Sequence, residues 1–264
     1  MIYRKKILVI WDNIDDVYHY CISRENPEWD FPVVIEKLLQ KRNWWAWHLV
    51  NCLEDLCWVL IDVDHIFWKN WHSIKHRYCV DGKVIMRVDE EKVFTEADAY
   101  WINYDKYDYI VISDYKKWSI TEELIKWLPK EKLIVDTKPE HFDWFKWAYI
   151  IKPNKKEFMA TWLTQEEFVK KYNCNLFLTL WEDGAEVYTK DWQQFTMPAL
   201  NKEPVWICWA WDAFLSWLVY WLCNGWIYEA LLYWSLSAAV SCRKAETNCP
   251  SLEDIKNLKW ELGL

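Results

Sequence analysis

The chain has very little glycine, 4 in 264 residues, where average usage is about 7%. Turns with positive φ and close backbone approaches normally call for glycine, so here such turns must be built with side chains present. No apolar run approaches the ~18 to 20 residues that a membrane span needs. No Pro/Gly/Ser-rich linker divides the sequence either, so one domain over residues 1–264 is expected. The nine cysteines include no CxxC pair, and Cys52 and Cys57 share a helical stretch with no His or Cys partner in metal spacing. Neither zinc nor a disulfide framework is indicated, and the thiols read as reduced and mostly buried. The apolar run Ile7 to Trp11 behind the basic opening residues is too short for a signal peptide, so a cytoplasmic location is expected. A net charge of −8 argues against broad binding to nucleic acid or acidic membranes, which need a cationic surface.

What is present is ample core material: 53% of residues are apolar and 24 are tryptophan. Lys6 to Ile10 reads as a buried strand that delivers Asp12, Asp15 and Asp16 to a loop at its carboxyl end, a clustering that suits a polyol. Val59 to Val63 reads as a second core strand. Strand patterns near residues 31–36 and 73–89, the latter a hairpin turning at Asp81-Gly82-Lys83, make a small separate sheet. From Thr95 the chain alternates: a helix near Glu96 to Tyr104, strand Tyr109 to Ser113, helix Thr121 to Leu128, strand Leu133 to Asp136, then Tyr149 to Lys152. Such alternation predicts parallel strands with crossover helices. A strand at Leu176 to Leu180, a hairpin at 185–197 and two apolar helices, Phe214 to Cys223 and Tyr228 to about Cys242, complete the pattern.

The stretch Val205 to Phe214 places Asp212 where a short strand-like lead meets a helix. A carboxylate there caps the helix, or shares the unpaired N–H groups and dipole of the helix start with a phosphate.

The motifs resemble the ribokinase (PfkB) family of carbohydrate kinases, with tryptophan where the family has glycine. Trp209-Ala210-Trp211-Asp212 resembles its Gly-Ala-Gly-Asp, Trp11-Asp12 its Gly-Asp, and Trp44-Trp45-Ala46 its Gly-Gly-Ala. Trp118 stands at the Gly closing Ser-Asp-Tyr-x-Lys-Gly, and Trp162 at the Gly of a Thr-Gly-Leu-Thr turn. Ser23 to Glu28, Arg87-Val88-Asp89 and Asp136-Thr137-Lys138 resemble segments of the bacterial heptose-7-phosphate kinases within it, with Thr137 in place of a proline, and Asn154-x-x-Glu157 is similar to the family's own Asn-x-x-Glu motif.

The resemblance implies a three-layer α/β/α fold with a mostly parallel central sheet and a small β lid. It also implies ATP and Mg2+ as cofactors, a sugar-phosphate substrate, and a homodimer through the lid. On this pattern Asp212 is the general base, and the backbone at Trp209, Ala210 and Trp211 forms an anion hole. Asp12, Asp16, Trp44, Trp45, His48 and Asp114 face the sugar, and Arg24 clamps the phosphate that the substrate already carries. Lys138, Asn154, Thr179, Trp181 and Gly184 hold the nucleotide, while Asn154 and Glu157 order magnesium through water. The expected acceptor is the anomeric hydroxyl of D-glycero-β-D-manno-heptose 7-phosphate, with another sugar or a nucleoside as the alternative. The resemblance covers nearly the whole chain, with no part left for a following nucleotidyltransferase domain.

An indole buries some 150 to 250 Å2 and cannot sit passively in a phosphate turn. Overpacking costs about 1 to 3 kcal/mol per site, which over some twenty sites would exceed domain stability. The sequence therefore also predicts a poorly stable, inactive chain, or a binding protein built on the fold.

Overall fold

The computed structural model describes residues 4–12, 14–28, 33–42, 49–54, 61–66, 73–91, 102–117, 119–200, 210–224, 227–243 and 249–264. Two sheets organise them. The larger has eight strands: β1 (Lys5–Trp11), β4 (Ile61–Ile66), β7 (Tyr109–Ser113), β8 (Leu133–Asp136), β9 (Ile150–Ile151), β10 (Asn175–Thr179), β11 (Ala185–Tyr188) and β12 (Gln194–Met197). They lie in the order β12-β11-β10-β9-β8-β7-β1-β4. Every pairing from β4 to β10 is parallel, and only the β10-β11-β12 end is antiparallel.

The strand period of two explains the layering. Ile7, Val9, Trp11, Val111, Ile134, Ile150 and Phe177 feed one core, shared with a helical stretch α1 (49–54), α5 (Ala210–Asn224), α6 (Ile227–Arg243) and α7 (Leu252–Leu262). Their neighbours Leu8, Ile10, Ile110, Ile112, Val135 and Leu176 feed a second core on the other face, against α2 (Glu122–Trp127) and α4 (Gln165–Tyr172). The fold is α/β, with the mostly parallel sheet between helical layers.

The second sheet has four strands, β2 (Ile14–Arg24), β3 (Val33–Arg42), β5 (Ser73–Val80) and β6 (Lys83–Glu90), in the order β3-β2-β5-β6. The expected hairpin at 73–89 is present. Its turn places Asp81 and Gly82 at φ 48° and 76°, the left-handed pair a two-residue hairpin demands. This lid is larger than expected. Asp15 and Asp16 belong to β2 rather than to a loop, because Ile14 to Tyr20 pairs parallel with β5 and is buried on nearly every residue.

Two further expectations change. Cys52 and Cys249 are joined in a disulfide across 197 residues, with Cα atoms 5.2 Å apart, a pairing that no local spacing announces. Cys21, Cys79, Cys174, Cys223 and Cys242 are free, as expected. Helix α6 is not the final helix, since α7 follows it behind a capping box built by Ser251 and Asp254. Of the helix near 96–104, residues 92–101 lie outside the described residues, and Tyr104–Lys106 forms a single 3-10 turn.

Tryptophan is absorbed in two ways. Trp147, Trp162, Trp181 and Trp192 have φ between 57° and 69°, the left-handed region that favours glycine, and all four indoles are exposed. Trp11, Trp217 and Trp234 are instead buried in the first core. The indole N–H groups of Trp217 and Trp221 find no hydrogen-bond partner among the described residues, a cost of about 1 to 3 kcal/mol each.

Candidate active site

Parallel strands bring their carboxyl ends to one edge, and five of them place polar residues there. Asp12 follows β1, Asp114 follows β7, Thr137 and Lys138 follow β8, Asn154 follows β9, and Thr179 ends β10. The rim is stitched by backbone bonds. Asp12 N–H donates to Ser113 O (3.1 Å), Asp114 N–H to Asp136 O (2.8 Å) and Lys152 N–H to Val135 O (2.8 Å).

Asp12 is buried, and its carboxylate is engaged by the loop after β7. Oδ2 accepts from the Tyr115 N–H (2.7 Å) and the Lys117 N–H (2.9 Å), and Oδ1 accepts from the Ser119 N–H (3.1 Å). Burial, reinforced by the neighbouring Asp114 charge, pushes its pKa up to about 6 against those three bonds. Asp12 thus shapes the loop that carries Tyr115.

Asp114 is equally buried. Its Oδ1 accepts from the Lys116 N–H (2.9 Å), while Oδ2 accepts the Thr137 hydroxyl (2.5 Å) and meets His141 Nδ1 (2.6 Å). Thr137 stands where the resemblance expects proline, and its hydroxyl explains what it does there.

Asn154 caps the five-residue helix α3 (Lys155–Met159) in a reciprocal box. Its Oδ1 accepts from the Glu157 N–H (2.9 Å), and its own N–H donates to Glu157 Oε2 (2.9 Å). The other Glu157 oxygen takes the Lys138 ammonium at 2.6 Å. Burial works against the Lys138 charge, but Asp136 and Glu157 overcome it and raise the pKa. Beyond them, the turn after β10 closes with Leu180 N–H donating to Gly184 O (2.8 Å). Gly184 is required there. At φ 91° an added Cβ would lie 2.1 Å from Met197 O. Trp181, in the same turn, holds φ 62° with its indole exposed.

The lid faces this rim through Lys75, whose Nζ lies 5.3 Å from the Tyr115 ring centre; Lys138 Nζ lies 5.1 Å from the same ring. The β2-β5-β6 register puts Asp16, Lys75, Arg77, Arg87 and Asp89 on that face. Arg77 Nε donates to Asp16 Oδ1 (3.1 Å), both buried, and Arg87 grips Asp89 through Nε (2.6 Å) and a second guanidinium nitrogen. Burial lowers the Lys75 pKa to about 8, with the nearby guanidinium groups partly offset by Asp16 and Asp89.

Of the other expected site residues, Arg24 is moved away. It ends β2, exposed, eight residues past Asp16, which at ~3.3 Å per residue is on the order of 26 Å along the strand. Trp44, Trp45, His48 and Trp209 lie outside the described residues. Ala210, Trp211 and Asp212 form the first turn of α5, as a helix opening there requires. The sequence motifs do not single out Lys75 and Arg77, although the alternation in Ser-Ile-Lys-His-Arg-Tyr over 73–78 puts both on one face. Among the described residues, no group of three or more His, Cys, Asp or Glu side chains is arranged to hold a metal ion. None of the described helices is long and apolar enough to cross a membrane.

The same architecture recurs in solved structures. Ribokinase from Thermotoga maritima superposes with a TM-score of 0.72 over 96% of this chain and 98% of its own, at 14% identity. The Methanocaldococcus jannaschii nucleoside kinase, described as an archaeal member of the ribokinase family, gives 0.71 over 98% and 99%, at 12% identity. Phosphofructokinase-2 from Escherichia coli gives 0.69 over 99% and 100%, also at 12%. The class is therefore that of ribokinase-like folds. No protein-family model matches the chain. In sequence, the chain belongs to one family with the uncharacterized protein MJ1336 of M. jannaschii, 36% identical over 137 residues that cover 43% of this chain and 90% of that protein. The bifunctional protein HldE of Sulfurimonas denitrificans is 26% identical over 81% of this chain, and that of Campylobacter fetus 29% over 71%. The chain spans about half the length of these HldE relatives, 50% and 46%.

Proposed function

We propose that the chain is an ATP-dependent kinase of a phosphorylated sugar, with the anomeric hydroxyl of D-glycero-β-D-manno-heptose 7-phosphate as acceptor. The observation that carries this reading is the meeting of two unlike surfaces. A rim of fixed polar groups lies at the carboxyl edge of the large sheet, and a lid offers it the cations Lys75, Arg77 and Arg87. Such cations suit an acceptor that already bears a phosphate. In this role they replace Arg24. The HldE likeness and the heptose-kinase motifs in the sequence point to the same substrate.

In this reading Asp212, at the opening of α5, takes the proton of the acceptor hydroxyl and contributes about 10² to 10⁴ in rate. The N–H groups that open the same helix, from Ala210 to Asp212, together with the backbone that the resemblance assigns at Trp209, receive the charge of the moving phosphoryl group. Asp16 and Asp114 orient the acceptor, while Asp12 holds the Tyr115 loop in place. Lys138, Asn154, Thr179 and the turn from Trp181 to Gly184 take the nucleotide, a donor set that fits an anionic ligand through Lys138 and the α3 start. ATP, when bound, supplies the phosphoryl group, and Mg2+ offsets its charge. Magnesium would be held by the nucleotide, with Asn154 and Glu157 reaching it through water. The lid excludes water from the transfer. Leu38, Leu39, Ile85, Met86 and Val88, all exposed on lid strands, supply apolar surface for a second copy packing lid to lid.

The test is ADP release by the purified chain with heptose 7-phosphate, ribose, fructose 1-phosphate and adenosine. Turnover of the heptose phosphate above the others is expected; phosphorylation of another acceptor alone overturns the substrate. The left-handed Trp181 in the nucleotide turn favours a second reading, a binding protein that no longer turns over. Thermal shift separates the two, because a competent site is stabilised by MgATP as RT ln(1 + [L]/Kd), whereas a filled one is not.

A further inference from the structure

Two ammonium groups from different parts of the molecule stand at one ring. Lys75 Nζ, from lid strand β5, lies 5.3 Å from the Tyr115 ring centre, and Lys138 Nζ, from the loop after β8, lies 5.1 Å from it. The backbone beneath the ring is held firmly. Asp12 Oδ2 accepts from the Tyr115 and Lys117 N–H groups, Asp114 Oδ1 accepts from the Lys116 N–H, and Lys116 between them is left-handed at φ 59°. Both carboxylates are buried, so the turn that carries the ring is set from the rim.

Charge on the lid side explains why an anion belongs there. Register puts Lys75 between Asp16 on β2 and Asp89 on β6, and sets Arg77 directly opposite Arg87 in the next row of the same face. Like charges opposed across a ladder are unfavourable. The guanidinium groups are answered by the carboxylates of the Lys75 row: Arg77 Nε donates to Asp16 Oδ1 (3.1 Å), and Arg87 Nε to Asp89 Oδ1 (2.6 Å). Three cations thus share two carboxylates on this face. Burial opposes the Lys75 charge, Asp16 supports it, and Arg87 and Arg77 oppose it again. On the rim side Lys138 donates to Glu157 Oε1 (2.6 Å) and keeps its charge. Two ammonium groups at one ring repel each other, and one anion between them replaces that repulsion with two attractions.

We propose that Lys75 and Lys138 together hold one anion beside Tyr115, the terminal phosphate of the nucleotide, which makes the lid a participant in phosphoryl transfer. Lys138 belongs to the nucleotide's set and Lys75 to the lid over the acceptor, so the phosphate they share is the one that moves between the two. This rests on the kinase reading and divides its cations: Arg77 and Arg87 remain with the acceptor's own phosphate, and Lys75 crosses to the donor. Lys75 neither gains nor loses a bond. Asp212 takes the acceptor's proton, the bond from the terminal phosphorus to the β-phosphate oxygen breaks as that to the acceptor oxygen forms, and the two ammonium groups offset charge on the other oxygens of that phosphorus. The shared phosphate also ties β5 to the loop after β8, so the triphosphate draws the lid onto the rim and the diphosphate does not.

Thermal shift of the intact chain with Mg2+ and either ADP or the β,γ-imido analogue of ATP tests this without turnover. The wild type should be stabilised more by the analogue than by ADP. Lys75→Met should lose that excess and keep the ADP shift, which also shows that the variant is folded; Lys75→Gln takes its place if it is not. An excess that survives in the variant overturns the proposal, and so do equal shifts from the two nucleotides in the wild type. No shift from either nucleotide is a different result, which removes the kinase reading and the proposal with it. In steady-state ADP release, Lys75→Met should lower kcat by about 10- to 100-fold, what one hydrogen bond to a charged group contributes, with acceptor KM little changed and Lys75→Arg recovering part of the rate. A raised acceptor KM at unchanged kcat assigns Lys75 to the acceptor's phosphate and overturns the proposal.

Discussion

The two sheets are built from the same kind of strand and differ in what covers them. Strands β1, β7, β8 and β10 of the large sheet are buried on both faces, and their side chains alternate between two separate cores. The lid is covered only in part, since β2 is buried from Ile14 to His19 but the outer strands β3 and β6 are largely exposed. Leu38, Leu39, Met86 and Val88 are about half exposed, and what organises its two faces is polar: Asp16–Arg77 and Arg87–Asp89 toward the rim, His19 against His76 on the other side. The contrast teaches that stability resides mainly in the large sheet, whose strands feed both cores, rather than in the outer strands of the lid.

The largest effect should come from emptying the large sheet. Phe177→Ala, at a fully buried position, is expected to cost about 3 to 5 kcal/mol in chemical denaturation, whereas Leu38→Ala on the lid stays within about 0.5 kcal/mol. Equal costs would erase the distinction between the sheets. Next is Gly184→Ala, where the new methyl meets Met197 O; a loss of about 3 kcal/mol is expected, and an unchanged melting temperature would show that the turn is not needed.

Asp12 gives a pH signature of the rim. Its folded pKa, about 6, lies above the usual 3.8, so its proton favours the folded state. That contribution is full below about pH 4 and is lost as pH rises through 6, on the order of 2 to 3 kcal/mol. Wild-type stability minus that of Asp12→Asn should therefore decline from pH 4 to 6.5; a rising difference contradicts the buried placement. The smallest effect is a gain. Trp162→Gly removes a side chain from a left-handed, solvent-facing position with φ 57°, and should stabilise by about 1 kcal/mol, seen as a raised melting temperature.

Much of this was legible in the sequence for physical reasons. Runs such as Ile7 to Ile10 and Tyr109 to Ile112 are apolar on successive residues, which only a strand buried on both faces requires. The Asp81-Gly82 turn is local, so its spacing sufficed. What could not be read locally was long-range. Strand β2 mixes Asp15, Asp16, His19 and Arg24 into its pattern, and its polar residues look like a loop until β5 supplies their partners. The Cys52–Cys249 bond and the pairing of His19 with His76 likewise join distant segments. The displacement of Arg24 from the rim follows from the same cause, since no local pattern shows that one strand runs from Ile14 to Arg24.

The central claim is that a carboxylate at the opening of α5 does chemistry at the rim of the large sheet. Steady-state ADP release with heptose 7-phosphate should fall by about 10² to 10⁴ in kcat for Asp212→Asn, with KM changed little and the circular dichroism spectrum preserved. A variant that keeps the wild-type kcat would contradict the account.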